Sequence, residues 1–252
     1  MSSHPASTPA SSTAASTTAS PTGRDVVTVA GPDARRYLHS QIAQNVETLE
    51  PGTSRWTLVL APNGRVDVLA RVRCLSDNAF ELDTEVGFGA VLAERLNRFR
   101  IRVQADVSES QRDLADGDLV GWWASAQWYS PEREGADYEA ARIAAGWPAM
   151  GSEIVPGERI PAEIAVVDVS VNLTKGCYPG QELVERMDSR GSQAPHQLRV
   201  LAVDPGAAVG DPIVDPDSGV EVGRLTSVSG GRALGYVRRG STVGDRPGPA
   251  NP

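Results

Sequence analysis

The stretch Lys175-Gly176-Cys177-Tyr178-Pro179-Gly180-Gln181-Glu182 decides how this chain is read. It packs an ammonium, a thiol, a phenol, an amide and a carboxylate into one short corner, and two glycines and a proline bend the backbone between them. The apolar run Ile164 to Val171 before it reads as a strand. Gln181 to Met187 after it reads as a helix. Cys177 therefore falls between the cation of Lys175 and a helix N-terminus, and both stabilise a thiolate. Cys177 and Lys175 are the candidate catalytic pair. No base is placed beside the sulfur by the sequence, so a cysteine hydrolase is unsupported. Gly176 and Gly180 permit tight turns and close approach of backbone to a ligand. Gln181 and Glu182 suit the amide and amino edges of a heterocycle, or equally cap the helix they open. Tyr178 stacks on a flat ring or fills the corner.

Working outward, Val26 to Ala30 reads as a strand. Gly31-Pro32-Asp33 then opens a helix whose inward face carries Ala34, Tyr37, Leu38, Ile42, Val46 and Leu49. Trp56 to Ala61 and Arg65 to Leu75 are two strands joined by the turn Pro62-Asn63-Gly64, and the second alternates as a half-buried hairpin strand does. Cys74 lies in that alternation and reads as a core residue. Ala79 to Leu82 is a short strand, Val86 to Phe99 a helix, and Ile101 to Val107 and Leu119 to Trp123 further strands. The basic stretch Arg95, Arg98, Arg100 and Arg102 reads as a solvated face. Tyr138 to Ala145 is a helix closed by Gly146 and Pro148. Beyond Gly191 come short strands between turns: Gln197–Val203, Pro212–Val214, Val220–Val228 and Arg232–Val237. That rhythm suggests a small β-barrel.

The chain has 252 residues, 40% of them hydrophobic, enough for one large domain or two modest ones. A net charge of −8 opposes non-specific binding to nucleic acid or anionic membrane. The two cysteines and the scattered His4, His39 and His196 give no metal spacing and no disulfide framework, and free thiols suit a reducing cytoplasm. Residues 1–22 lack Asp, Glu, Lys and Arg and are rich in Ser, Thr, Ala and Pro. They read as a disordered tail without the cationic start and apolar run of a secretory signal. No apolar stretch is long enough to span a bilayer. The expected division is a tail over 1–23, a first domain over 24–190, a barrel over 191–243 and a loose end over 244–252. The expected protein is a soluble, cytoplasmic monomer.

Lys175 to Glu182 resembles the signature K-G-C-Y-x-G-Q-E of the YgfZ-type folate-binding proteins, relatives of the glycine-cleavage T-protein, an aminomethyltransferase. The resemblance continues in family order. It takes in Gly31-Pro32-Asp33-Ala34 with Tyr37-Leu38-His39-Ser40-Gln41, then Leu60-Ala61-Pro62-Asn63-Gly64-Arg65-Val66. Arg142-Ile143-Ala144-Ala145-Gly146-Trp147-Pro148 with Gly151, and Ile160-Pro161-Ala162-Glu163, follow. Gly223-Arg224-Leu225-Thr226-Ser227 with Ala233-Leu234-Gly235-Tyr236-Val237 closes the series. The resemblance implies an α+β fold: a T-protein-like folate-binding core with a ferredoxin-like part, followed by a small C-terminal β-barrel. It implies a tetrahydrofolate or one-carbon derivative in a central channel. Glu163 stands where the T-protein carries an acidic residue that pairs with the pteridine edge, and a carboxylate can accept two parallel N–H bonds there. Arg142 meets the glutamate tail of folate or serves the fold. The implied ligand set is Glu163, Arg142, Tyr178, Gln181 and Glu182.

The function the resemblance implies is a folate-binding accessory protein for assembly or repair of iron–sulfur proteins, reaching tRNA modification indirectly through a cluster-dependent enzyme. Folate and iron–sulfur client or assembly proteins are the implied partners. Two alternatives stand beside it: a tetrahydrofolate-dependent aminomethyltransferase or demethylase, and a non-catalytic folate sensor or scaffold. Departures from the T-protein pattern weigh against the transferase. The paired aspartates of its hairpin are replaced by Gly64-Arg65-Val66-Asp67-Val68, leaving Asp67 as the acid, and the T-protein lacks the signature cysteine.

Overall fold

The computed structural model describes residues 23–113, 138–189 and 194–247. The first part supplies β1 (Gly23–Ala30), α1 (Ala34–His39), β2 (Ser54–Leu60), β3 (Val66–Ser76), β4 (Ala79–Glu85), α2 (Gly89–Asn97) and β5 (Asp106–Asp113). Its five strands form one antiparallel sheet in the order β2-β3-β4-β1-β5. Next come α3 (Tyr138–Ala145), a 3-10 turn at Pro161–Glu163, α4 (Val167–Ser170) and α5 (Gln181–Ser189). The chain closes with β6 (His196–Ala202), β7 (Pro212–Val214), β8 (Glu221–Ser229) and β9 (Arg232–Arg238), an antiparallel sheet ordered β6-β9-β8-β7.

The architecture is α+β with two antiparallel sheets. The second sheet is open, which corrects the expected barrel. β6 and β7 stay at opposite edges, and β6 is covered instead by the chain end. Asp245 exchanges two backbone hydrogen bonds with Val200, at 2.8 and 2.9 Å. Pro247 packs on Gly146, where a Cβ would meet its ring at 2.4 Å. Residues 244–247, read from composition as a loose end, are thus pinned to the fold.

The hairpin of β2 and β3 forms as its turn residues dictate. The Gly64 amide donates to the Ala61 carbonyl at 2.8 Å and Gly64 takes φ +83°. All six apolar positions expected on the first helix are buried, yet only Ala34–His39 is helical. The chain leaves the helix at Ser40 because the Ala43 amide bonds to the Leu58 carbonyl of β2 at 2.9 Å. α2 starts later than expected: Asp25 accepts from the amides of Gly87 and Gly89 at 2.8 and 2.9 Å, and so caps it from a neighbouring strand.

The expected strand Ile101–Val107 is instead a turn followed by β5. Arg102 takes φ +57° and Ile101 is 75% exposed. The expected strand Ile164–Val171 is no strand: it follows the 3-10 turn at Pro161–Glu163 and holds the one-turn α4. Pro161 starts the winding, and α4 lies against β2 without pairing to it. The Ser170 hydroxyl returns to the Val166 carbonyl at 2.6 Å. The expected strand Leu119–Trp123 lies outside the described residues.

One core runs through both sheets. Leu198, Leu234 and Tyr236 of the second sheet join the cluster built on the first, while Leu201, Ile213, Leu225, Ala233 and Val237 form a smaller core on the other face. A buried polar network joins the two parts. Arg142 of α3 donates to Glu153 at 3.0 Å, to Ser227 of β8 at 2.7 Å and to Glu139 at 2.8 Å. Glu153 accepts in turn from the hydroxyls of Thr226 and Ser227 at 2.6 and 2.7 Å and from the Ala149 amide at 2.9 Å. Burial pulls the Arg142 guanidinium down, but the Glu153 and Glu139 carboxylates outweigh it and hold it above the ordinary arginine value.

Candidate functional site

Pro161 opens the 3-10 turn that carries Glu163 at its third position. The carboxyl is 5% exposed. One oxygen accepts from the Ile160 amide at 3.3 Å, and the other stands 3.2 Å from Nδ1 of His196 at the start of β6. The same carboxyl borders a cavity of about 300 Å³ between the 3-10 turn, α5 and β6. Leu183, Val184 and Met187 of α5 give it apolar walls, and Gln197 adds an amide. Arg246 and Pro247 of the pinned chain end complete the rim. Ala165, also in the wall, takes φ +62°, a left-handed backbone that an alanine seldom adopts and that clusters at ligand sites.

The signature corner lies at the N-terminal start of α5. Its entry depends on Gly180, at φ +82°, where a Cβ would meet the Ala61 carbonyl oxygen at 2.7 Å and Gly64 Cα at 2.9 Å. The signature turn and the β2–β3 turn thus touch through two glycines. Lys175 is buried, and its ammonium donates to the carbonyls of Ile42, at 2.7 Å, and His39. It also stands 4.8 Å from the centre of the Tyr178 ring. Burial lowers the Lys175 pKa to about 8, against the pull of Glu47 and Cys177. Lys175 therefore ties the corner to the turn after α1. Cys177, by contrast, is exposed and free, whereas Cys74 is buried.

Tyr178 is buried and fills the corner; burial, then the nearby Glu185, raises its hydroxyl to about 12. Gln181 accepts from the Tyr178 amide at 3.3 Å and donates to Glu185. Glu182 is solvent-facing and pairs with Arg186 one turn on. Arg142 is committed to the buried network described above. Of Glu163, Arg142, Tyr178, Gln181 and Glu182, only Glu163 lines the cavity, and neither Cys177 nor Lys175 does. The sulfur and the carboxylate do not share that pocket: Cys177 precedes α5, and Glu163 sits on the 3-10 turn.

Asp67 pairs with Arg95 at 3.3 Å, and Arg95 also donates to the Leu60 carbonyl at 2.6 and 2.9 Å. Burial raises the Asp67 carboxyl while Arg95 opposes the rise. The basic stretch is therefore split, because Arg95 turns inward. Sequence reading missed His196, Gln197 and Arg246. They come to Glu163 from β6 and the chain end, and no local spacing announces them. Among the described residues, no group of three or more His, Cys, Asp and Glu side chains is placed to hold a metal. No helix among them is long and apolar enough to cross a membrane.

No protein-family model matches the chain. It is 25% identical over 237 residues to the mitochondrial "Iron-sulfur cluster assembly factor IBA57 homolog" of Neurospora crassa, covering 74% of this chain and 54% of that protein. The chain thus spans about half the length of that relative. It is 24% identical over 197 residues to an uncharacterised protein of Haemophilus influenzae, covering 68% of each. Its fold is similar to the glycine cleavage system aminomethyltransferase T from Bartonella henselae. That match has a TM-score of 0.69 and 14% identity, and covers 86% of this chain and 76% of that one. The two relatives and the T-protein-like fold agree with the resemblance of the signature to the YgfZ-type proteins.

Proposed function

We propose that this protein binds a tetrahydrofolate-type ligand at Glu163 and supports assembly or repair of iron–sulfur proteins, with Cys177 as its working thiol. One observation carries the reading: a buried carboxylate on the wall of a cavity of about 300 Å³, in a T-protein-like fold. The residues fit the ligand. Glu163 offers an anionic acceptor to the amino and ring N–H groups of a pterin, and Gln197 adds an amide. Leu183, Val184 and Met187 give apolar cover to a flat ring. When bound, the folate would supply one-carbon chemistry; the chain's own groups hold and orient it. The likeness to the Neurospora iron–sulfur cluster assembly factor homolog supports the iron–sulfur side of the reading. The exposure of Cys177 supports a thiol that meets a partner protein rather than the cavity. Asp67, the acid a transferase would need, is tied to Arg95 and does not line the cavity, so the accessory role is preferred.

Calorimetric titration with tetrahydrofolate tests the ligand. Glu163→Gln should weaken binding at least ~10-fold, since a hydrogen bond to a charged group is worth about 1.5–3 kcal/mol. Absence of binding by the wild type at millimolar ligand would overturn the assignment. Cys177→Ala should bind folate as the wild type does, yet fail to restore cluster-enzyme activity to cells lacking the gene. Full restoration would remove the thiol from the mechanism.

A further inference from the structure

A second groove, of about 420 Å³, opens on the C-terminal sheet. The Tyr236 ring lies in its lining, and the Arg159 guanidinium stacks 3.9 Å from the ring centre. Arg224, Arg238 and His196 also line it. Glu221 is the carboxylate in that lining, and Arg224 takes it at 2.9 Å. Among the described residues no carboxylate pairs with the exposed Arg238. The carboxylate paired with Arg159 is Glu163, at 4.0 Å, whose oxygens already serve Ile160 and His196. The groove is therefore net positive, in a chain whose net charge is −8.

Guanidinium groups gathered in one concave place repel one another. Their planar forks match oxyanions in a way that a lone ammonium does not. His196 strengthens the case. Glu163 holds its Nδ1, which fixes the ring and leaves Nε2 as its other polar atom. We propose that this groove is a second binding site, taking a small anion with several closely spaced oxyanion groups, either carboxylates or phosphates. Two sources share that chemistry: the carboxylate tail of a ligand seated at Glu163, and a separate polyanion. The site stands whether or not a pterin occupies the first cavity.

Calorimetry on the full chain at low ionic strength tests it, with tripolyphosphate and tri-γ-glutamate as probes. The wild type should bind at least one of them, more weakly as salt is added. Arg238→Gln should weaken binding at least 10-fold with an unchanged urea midpoint, because Arg238 is exposed and its side chain joins no network among the described residues. Arg159→Gln should weaken it similarly. Comparing mono- and triglutamyl tetrahydrofolate separates the sources. A gain of 10-fold or more for the triglutamyl form, erased by Arg238→Gln, identifies a ligand tail. Tripolyphosphate binding that is indifferent to bound folate identifies a separate anion. If neither probe binds at millimolar concentration, or both arginine variants bind as the wild type does, the proposal is overturned. A failure of tetrahydrofolate to bind would count against the Glu163 reading and leave the probe titrations intact.

Discussion

Glu153→Ala is expected to cost about 3–5 kcal/mol of folding stability, read as a shift in the urea midpoint at unchanged slope. The Glu153 side chain is fully buried and faces Arg142, itself 2% exposed. Removing the carboxylate takes away the fully buried partner of that guanidinium, leaving it the part-exposed Glu139, and leaves the Ser227 hydroxyl short of an acceptor, while Thr226 keeps the Leu234 carbonyl. The damage should reach beyond the pair, since Glu153 joins the segment after α3 to β8, and its backbone carbonyl accepts from Tyr236 of β9 at 2.8 Å. Adding Arg142→Met should recover a large part of the loss, because the two deeply buried charges then go together and only the part-exposed Glu139 remains. A single variant within about 1 kcal/mol of wild type would show that the network does not hold the sheets together.

Gly180→Ala is expected to cost about 2–5 kcal/mol, while Gly176→Ala, four residues away in the same signature, should change stability by less than about 0.5 kcal/mol. The contrast isolates one cause. At Gly180, φ is +82°, a conformation that costs a residue bearing Cβ about 1–2 kcal/mol. The added methyl would also press on Ala61 and Gly64 backbone, neither of which can swing aside, at about 1–3 kcal/mol more. A Cβ at Gly176 meets nothing within 4 Å, and its φ lies outside the left-handed region. Equal effects at both positions would mean that the docking of the two turns is not what the glycine secures.

These two sites mark the reach of the sequence. The β2–β3 hairpin, α3, α5 and the four C-terminal strands were legible because turn chemistry and periodicity agreed there. β5 was not. It is an edge strand of mostly exposed polar residues, so no apolar alternation announces it. The run Ile164–Val171 was misread because a short apolar segment fits a strand or a helical turn equally well, and the proline that decides lies ahead of it. Glu163 was singled out through a resemblance, and the structure places it buried beside a cavity. Its partner His196 stands 33 residues away, and the Ser227 partner of Arg142 stands 85 away. Contacts of that span are set by how sheets stack, which no local window contains.

The chain end that crosses β6 carries a practical consequence. Protein trimmed after Val243, or bearing a purification tag fused at that point, would lose the strand-edge cover supplied by Asp245 and the rim supplied by Arg246. Such a preparation would expose bare backbone that invites edge-to-edge aggregation. It would also lose part of the wall of the cavity beside Glu163.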